Sequence, residues 1–172
     1  MAIRVFVYSL LFLSVLSVLL SSDTKSIEEK QEERPLLTFH DSTLYVIGKD
    51  GIESMVNSKK ALRYKNRDVL LDGKLVSKVK NEPNLVDSVN ANIILKIEDN
   101  LTFMNDVNYT RGDFITLKTD QLDYDLKRKI AKNTTSFKGN YHGDSLKGTN
   151  LYLDLNKSII KAKKSHFKIN MN

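Results

Sequence analysis

Chemistry that makes or breaks bonds needs a nucleophile beside a base, or clustered metal ligands. The 172-residue chain offers few such groups: it has no cysteine, and its histidines, His40, His142 and His166, lie far apart. Asp120, Asp123 and Asp125 suggest calcium by their spacing, but strand alternation puts Asp120 on the other face from the latter two and no EF-hand loop surrounds them. They read as solvated strand residues. Sequons at Asn100, Asn108, Asn133 and Asn156 fall in or near expected turns and read as chance matches in a Lys/Asn-rich chain, although three have an acid two residues upstream (Glu98, Asp106, Asp154), as some bacterial glycosylation systems require. The expectation is a protein that is not an enzyme, with no catalytic residue, metal site or cofactor. It has no P-loop, so any driving force must come from partners.

What the residues do offer is apolar surface in stripes. On a strand alternate residues share a face, so Leu151, Leu153 and Leu155 point one way, and Tyr152 and Asp154 the other. By the same rule Leu122, Tyr124 and Leu126 point inward opposite Asp123 and Asp125, with Ile93, Leu95 and Ile97 as further inward candidates and Phe167, Ile169 and Met171 the set on the last strand. Such stripes build either an ordinary core or a groove for an apolar ligand. Removing apolar surface from water is worth roughly 25 cal/mol per Å², so a groove could hold an apolar ligand strongly.

The elements that must position these stripes are short strands. Period-two alternation runs through Leu44-Tyr45-Val46-Ile47, Ile93-Ile94-Leu95-Lys96-Ile97 and Phe114-Ile115-Thr116-Leu117-Lys118. Turn residues interrupt the runs at 48–51, Asp72-Gly73, 81–84, Asp99-Asn100, 111–113 and Gly139-Asn140. Ile52 to Leu62 fits a helix or an irregular strand; no long helical pattern follows residue 35. The chain also repeats itself: residues 122–130 (LDYDLKRKI) align with 151–159 (LYLDLNKSI), each a strand, a polar turn and a returning strand, with weaker echoes at 62–69 and 95–101. Recurrence at this spacing suggests stacked units sharing one core.

Ahead of these strands, Val5 to Leu20 is an uncharged apolar run. With Ala2, Ile3 and a snorkelling Arg4 it reaches the roughly 20 residues of a membrane-spanning helix. A cleaved signal peptide competes, but a cut after Ser21 or Ser22 would put Leu19 or Leu20 where a small side chain is required, so the retained anchor is preferred. Arg4 and the amino terminus precede the run and five acids against three bases follow it over 23–34. The positive-inside rule then exports the remainder. The expected organisation is an anchor over 1–22, a polar linker over 23–34 and an all-β domain over 35–172.

Composition bounds the rest. At 41% hydrophobic and 28% charged the chain can fold around one core. Residues 23–110 carry 13 basic and 15 acidic groups, whereas 111–172 carry 13 and 6. That basic excess suits nucleic acid, an acidic membrane surface or an anionic lipid.

The order of features resembles the LptC family of lipopolysaccharide export: an anchor, a linker, the segment Pro35-Leu36-Leu37-Thr38-Phe39, the stretch Lys60-Ala61-Leu62-Arg63-Tyr64, the paired hairpins, and Gly148 before the last of them. Tyr141-His142-Gly143-Asp144-Ser145 departs from that pattern. The resemblance implies an open antiparallel β-jelly roll of the OstA/LptA type, two sheets facing each other around an apolar interior for the acyl chains of lipopolysaccharide. It implies a single-pass inner-membrane protein with its domain in the periplasm and no role for nucleic acid. Lipopolysaccharide would arrive from an inner-membrane ABC transporter resembling LptB, LptF and LptG and leave to an LptA-like bridge by edge-to-edge sheet pairing. Leu37 and Phe39 near one end of the domain, and His166, Phe167, Lys168 and Ile169 on the last strand, are the edge candidates, since unpaired edges invite another sheet. Two other readings remain: an anchored adaptor with a closed core and no ligand, and a carbohydrate-binding jelly roll, disfavoured by the absence of Trp.

Overall fold

A computed structural model describes residues 34–49, 51–79, 82–157 and 159–168. The anchor expected over 1–22, nearly all of the linker, and Ile169 and Met171 lie outside the described residues. Those described form ten strands and no helix: β1 (Leu37–Gly48), β2 (Gly51–Arg63), β3 (Asp68–Val79), β4 (Glu82–Ile97), β5 (Asn100–Arg111), β6 (Ile115–Asp125), β7 (Ile130–Lys132), β8 (Ser136–Tyr141), β9 (Asp144–Asp154) and β10 (Ile159–Lys168). Ile52 to Leu62, open to either reading, is strand β2.

All ten strands belong to one antiparallel sheet. They follow chain order from β1 to β6; β7 and β8 then lie end to end between β6 and β9, and β10 closes the series. β1 and β10 are the two edges.

A row of left-handed residues crosses this sheet. Asp41 on β1, Asp72 on β3, Asn105 and Asp106 on β5, Asn150 on β9 and Lys164 on β10 all have φ between 46° and 63°. Asp and Asn tolerate this conformation because their short polar side chains bond locally. Across this row the inward-facing parity reverses on β3, β4 and β9, whereas on β5 the two consecutive left-handed residues leave odd-numbered residues inward on both sides. On β3 Leu70 packs inward before the kink and Leu75 after it; on β4 Val89 and Ala91 are buried before, Ile94 after; on β9 Leu146 is buried before, Leu151 and Leu153 after. The row therefore folds the sheet into two leaves. One contains Leu75, Val89, Tyr109, Leu117 and Leu146; the other contains Ile94, Phe103, Leu122 and Leu153. Phe103, Ile94 and Val107 are the largest fully buried side chains.

Asp72-Gly73 is thus a kink inside β3 rather than a hairpin turn, and Gly139-Asn140 lies inside β8. The turn after β8 comes at His142 and Gly143, both with positive φ (51° and 93°), as a two-residue hairpin requires. This accounts for the polar cluster at 141–145: Phe114 stacks on His142 at 4.9 Å, and the His142 amide donates to the Phe114 carbonyl at 2.8 Å.

The internal repeat is a stack of turns at one end of the sheet. The Leu126 amide donates to the Asp99 carbonyl at 2.9 Å and the Leu155 amide to the Lys129 carbonyl at 3.0 Å, so each hairpin turn rests on the one before. The aligned aspartates repeat one role: Asp125 accepts from the Arg128 amide at 2.8 Å, and Asp154 from the Asn156 and Lys157 amides at 3.1 Å.

Candidate functional site

The two leaves enclose a cleft. Leu75 and Ser77 of β3, Asp87 and Val89 of β4 and Tyr109 of β5 line one wall. Leu122 and Tyr124 of β6, Ala131 of β7, and Leu153 with Leu155 at the end of β9 line the other, with Phe103 between. The space amounts to about 460 Å³, including the part open to solvent.

The inner face extends beyond this cleft. Residues directly opposite one another share a face, and one inner row runs through Leu44, Val56, Leu75, Val89, Tyr109 and Leu117, passes Gly139 and ends in Leu146 and Phe167. Its centre is buried, whereas Leu44 is 63% and Phe167 59% exposed. A second inner row begins at Phe39 on β1, opposite Ala61, Leu70, Ile94 and Phe103 in succession. Apolar inner surface is therefore open to water at both edges.

One end of the cleft is polar. Arg111 donates two hydrogen bonds to Asp87, from Nε at 2.7 Å and from Nη2 at 2.8 Å, and the Tyr109 hydroxyl donates to the same carboxylate at 2.8 Å. The Asp87 carboxylate raises the Arg111 pKa, and burial raises that of Tyr109. Burial also pushes the Tyr124 hydroxyl up to about 12. Asp87, Tyr109 and Arg111 satisfy one another, as buried charge must.

Among the expected groove residues, Leu122, Leu151 and Leu153 are buried, and Tyr124, Leu126 and Leu155 are half-buried. All six face inward, four of them in the cleft. Ile93, Leu95 and Ile97 do not. Their neighbour Ile94 is the inward residue, Ile97 is 46% exposed, and the register shift between Asn90 and Ile93 is the reason. Asp154, expected on the outer face, is buried where it caps its turn. Leu37 and Phe39 lie on edge strand β1, 48% and 51% exposed. Phe167 lies at the rim of the inner face on edge strand β10, while His166 and Lys168 beside it are exposed.

Sequence reasoning missed β5, which supplies Phe103 and Tyr109 to the cleft. Leu101, Phe103, Val107 and Tyr109 are all odd-numbered and buried, a period-two signal visible along β5. Asp87 and Arg111 gave no such signal, because their pairing depends on the register of β4 against β5. Among the described residues no three His, Cys, Asp or Glu side chains come together as a metal site. Asn133 of the third sequon is buried at 3% exposure: its Nδ2 donates to Thr119 Oγ1 at 2.8 Å and its Oδ1 accepts from the Leu151 amide at 3.0 Å.

No protein-family model and no curated protein matches this chain. Among solved structures it is similar to LptH of Pseudomonas aeruginosa, described as the LptA-homologous periplasmic component of the lipopolysaccharide transport device. The identity is 12% and the TM-score 0.36, over 81% of this chain and 97% of that one.

Proposed function

We propose that the protein is a non-catalytic lipid carrier that holds the acyl chains of lipopolysaccharide between its two leaves. The observation that carries this reading is the inner row from Leu44 to Phe167, apolar across the sheet and uncovered at both edges. A folded protein has reason to leave such surface open if a ligand covers it. The family resemblance of the sequence supplies the context: an inner-membrane ABC transporter as donor, an LptA-like bridge as acceptor, and an anchor in the inner membrane with the sheet in the periplasm. β1 and β10 are the edges available to those partners.

The reading is tested by photocrosslinking in living cells from Leu153, which lines the cleft, with outward-facing Tyr152 as control, followed by blotting for lipopolysaccharide. An adduct at 153 and none at 152 supports the carrier. No adduct at either position, in folded protein, favours the closed-core adaptor, a reading that draws on the complete burial of Phe103 and Ile94 between the leaves.

A further inference from the structure

The outer face of the leaf that bears β6, β8 and β9 carries a ladder of lysines. Lys118 on β6 lies directly opposite Lys138 on β8, Lys138 opposite Lys147 on β9, and Lys147 opposite His166 on β10. Each lysine is exposed, and each has buried neighbours in sequence: Leu117 and Thr119, Phe137, and Leu146 and Gly148. The three therefore stand on one face, at strand spacings of roughly 4.8 Å. Lys163, opposite Thr149, and Lys168, opposite Ser145, extend the same face on β10.

Like charges directly opposite in a sheet repel, and none of these three lysines has a carboxylate partner among the described residues. Lys59, by contrast, stands opposite Asp72 and pairs with it at 3.2 Å. The nearest acid along β6 is Asp120, at the kink. The sheet thus holds an uncompensated row of positive charge in a fixed plane.

We infer that this face docks on the anionic headgroup layer of a phospholipid bilayer. Its composition points there rather than to a protein: interfaces between proteins are enriched in aromatic residues and arginine and depleted of lysine, and in this leaf the other outward positions of β8, and of β9 before its kink at Asn150, are Ser136, Asn140, Ser145 and Thr149. Arginine suits bidentate recognition of one phosphate, whereas lysine acts as a point charge, which fits a plane of mobile headgroups. Each lysine brought to such a surface strengthens association roughly fivefold, so three contribute on the order of a hundredfold. The inference does not depend on what fills the cleft.

The absence of cysteine permits single-site labelling of the full chain. A fluorophore on Ser136→Cys reports the lysine face, and one on Asn66→Cys, in the turn before β3, serves as reference. The labelled chain is bound to vesicles of phosphatidylcholine alone or mixed with phosphatidylglycerol, and quenching by a headgroup spin label is read at both positions; attachment through the apolar run of residues 5–20 needs no anionic lipid, so the comparison of the two vesicle types isolates the lysine face. Expected is stronger quenching at 136 than at 66 on the mixed vesicles only. It should vanish in Lys118→Gln/Lys138→Gln/Lys147→Gln and at about 1 M salt, where the screening length is roughly 3 Å. Removing opposed like charges should leave thermal unfolding of the triple variant unchanged or improved. Equal quenching on both vesicle types, or a triple variant that keeps the difference, overturns the inference. Lysine-dependent binding to polyglutamate without any response to anionic vesicles overturns it in favour of an acidic protein.

Discussion

Asp87 and Arg111 stand directly opposite each other on β4 and β5, joined by two hydrogen bonds inside the cleft with side chains only 15% and 11% exposed. An ion pair so placed holds its strands in register and is costly to break singly. Asp87→Ala or Arg111→Met alone should each cost about 3–5 kcal/mol, because each strands a buried charge. Replacing the whole cluster (Asp87→Leu/Tyr109→Phe/Arg111→Met) should recover most of that loss. Urea unfolding of the set decides it, and a triple variant as unstable as the singles rejects the account.

Asn133 bridges three segments where the row of kinks crosses the gap between β7 and β8. Its side chain reaches Thr119 on β6 and the Leu151 amide on β9, and its backbone amide donates to the Leu151 carbonyl at 3.0 Å. Asn133→Ala leaves the Leu151 amide without its acceptor, at a cost of about 1–3 kcal/mol. Asn133→Asp keeps the acceptor and should lose less on that side. The same burial predicts that the sequon is unmodified in folded protein, which intact mass measurement checks.

The kinks make a sharper prediction. Asn150 adopts φ 52° in the middle of β9, where inward parity changes from Leu146 to Leu151. A β-branched side chain resists that conformation, whereas glycine adopts it freely. Asn150→Gly should be neutral or stabilising by up to about 1 kcal/mol, and Asn150→Val destabilising by about 1–2 kcal/mol or more. If Val and Gly prove equivalent in thermal unfolding, the kink does not set the parity.

These kinks also separate what was legible in the sequence from what was not. Alternation and turn residues were enough for an all-β sheet, and the recurrence of residues 122–130 at 151–159 corresponds to stacked turns. The inward faces of Leu122 and Leu153 could be read because each run lies wholly on one side of a kink. Ile93, Leu95 and Ile97 could not, because period two carries no phase: the register shift beside Asn90 selects Ile94, and strand pairing rather than local pattern sets that shift. Asp72-Gly73 likewise has the composition of a hairpin turn but serves as a bend within β3. Lys118, Lys138 and Lys147 lie nine or more residues apart in sequence, and only the pairing of β6, β8 and β9 aligns them.

Tyr124 gives the protein a predictable response to alkali. An exposed tyrosine loses its proton near pH 10, whereas burial, reinforced by the Asp87 carboxylate, pushes Tyr124 up to about 12. Between those values the unfolded chain binds fewer protons than the folded one, so stability falls as pH rises. The contribution is complete below about pH 10 and is lost as pH climbs through about 12. Lysines titrate over the same range, so the decisive quantity is a difference between proteins. The urea midpoint should fall from about pH 9 to about pH 11 by more in the unaltered chain than in Tyr124→Phe, because the variant lacks that proton. Equal falls would mean that Tyr124 meets water in the folded state and that the leaves stand further apart at this end of the cleft.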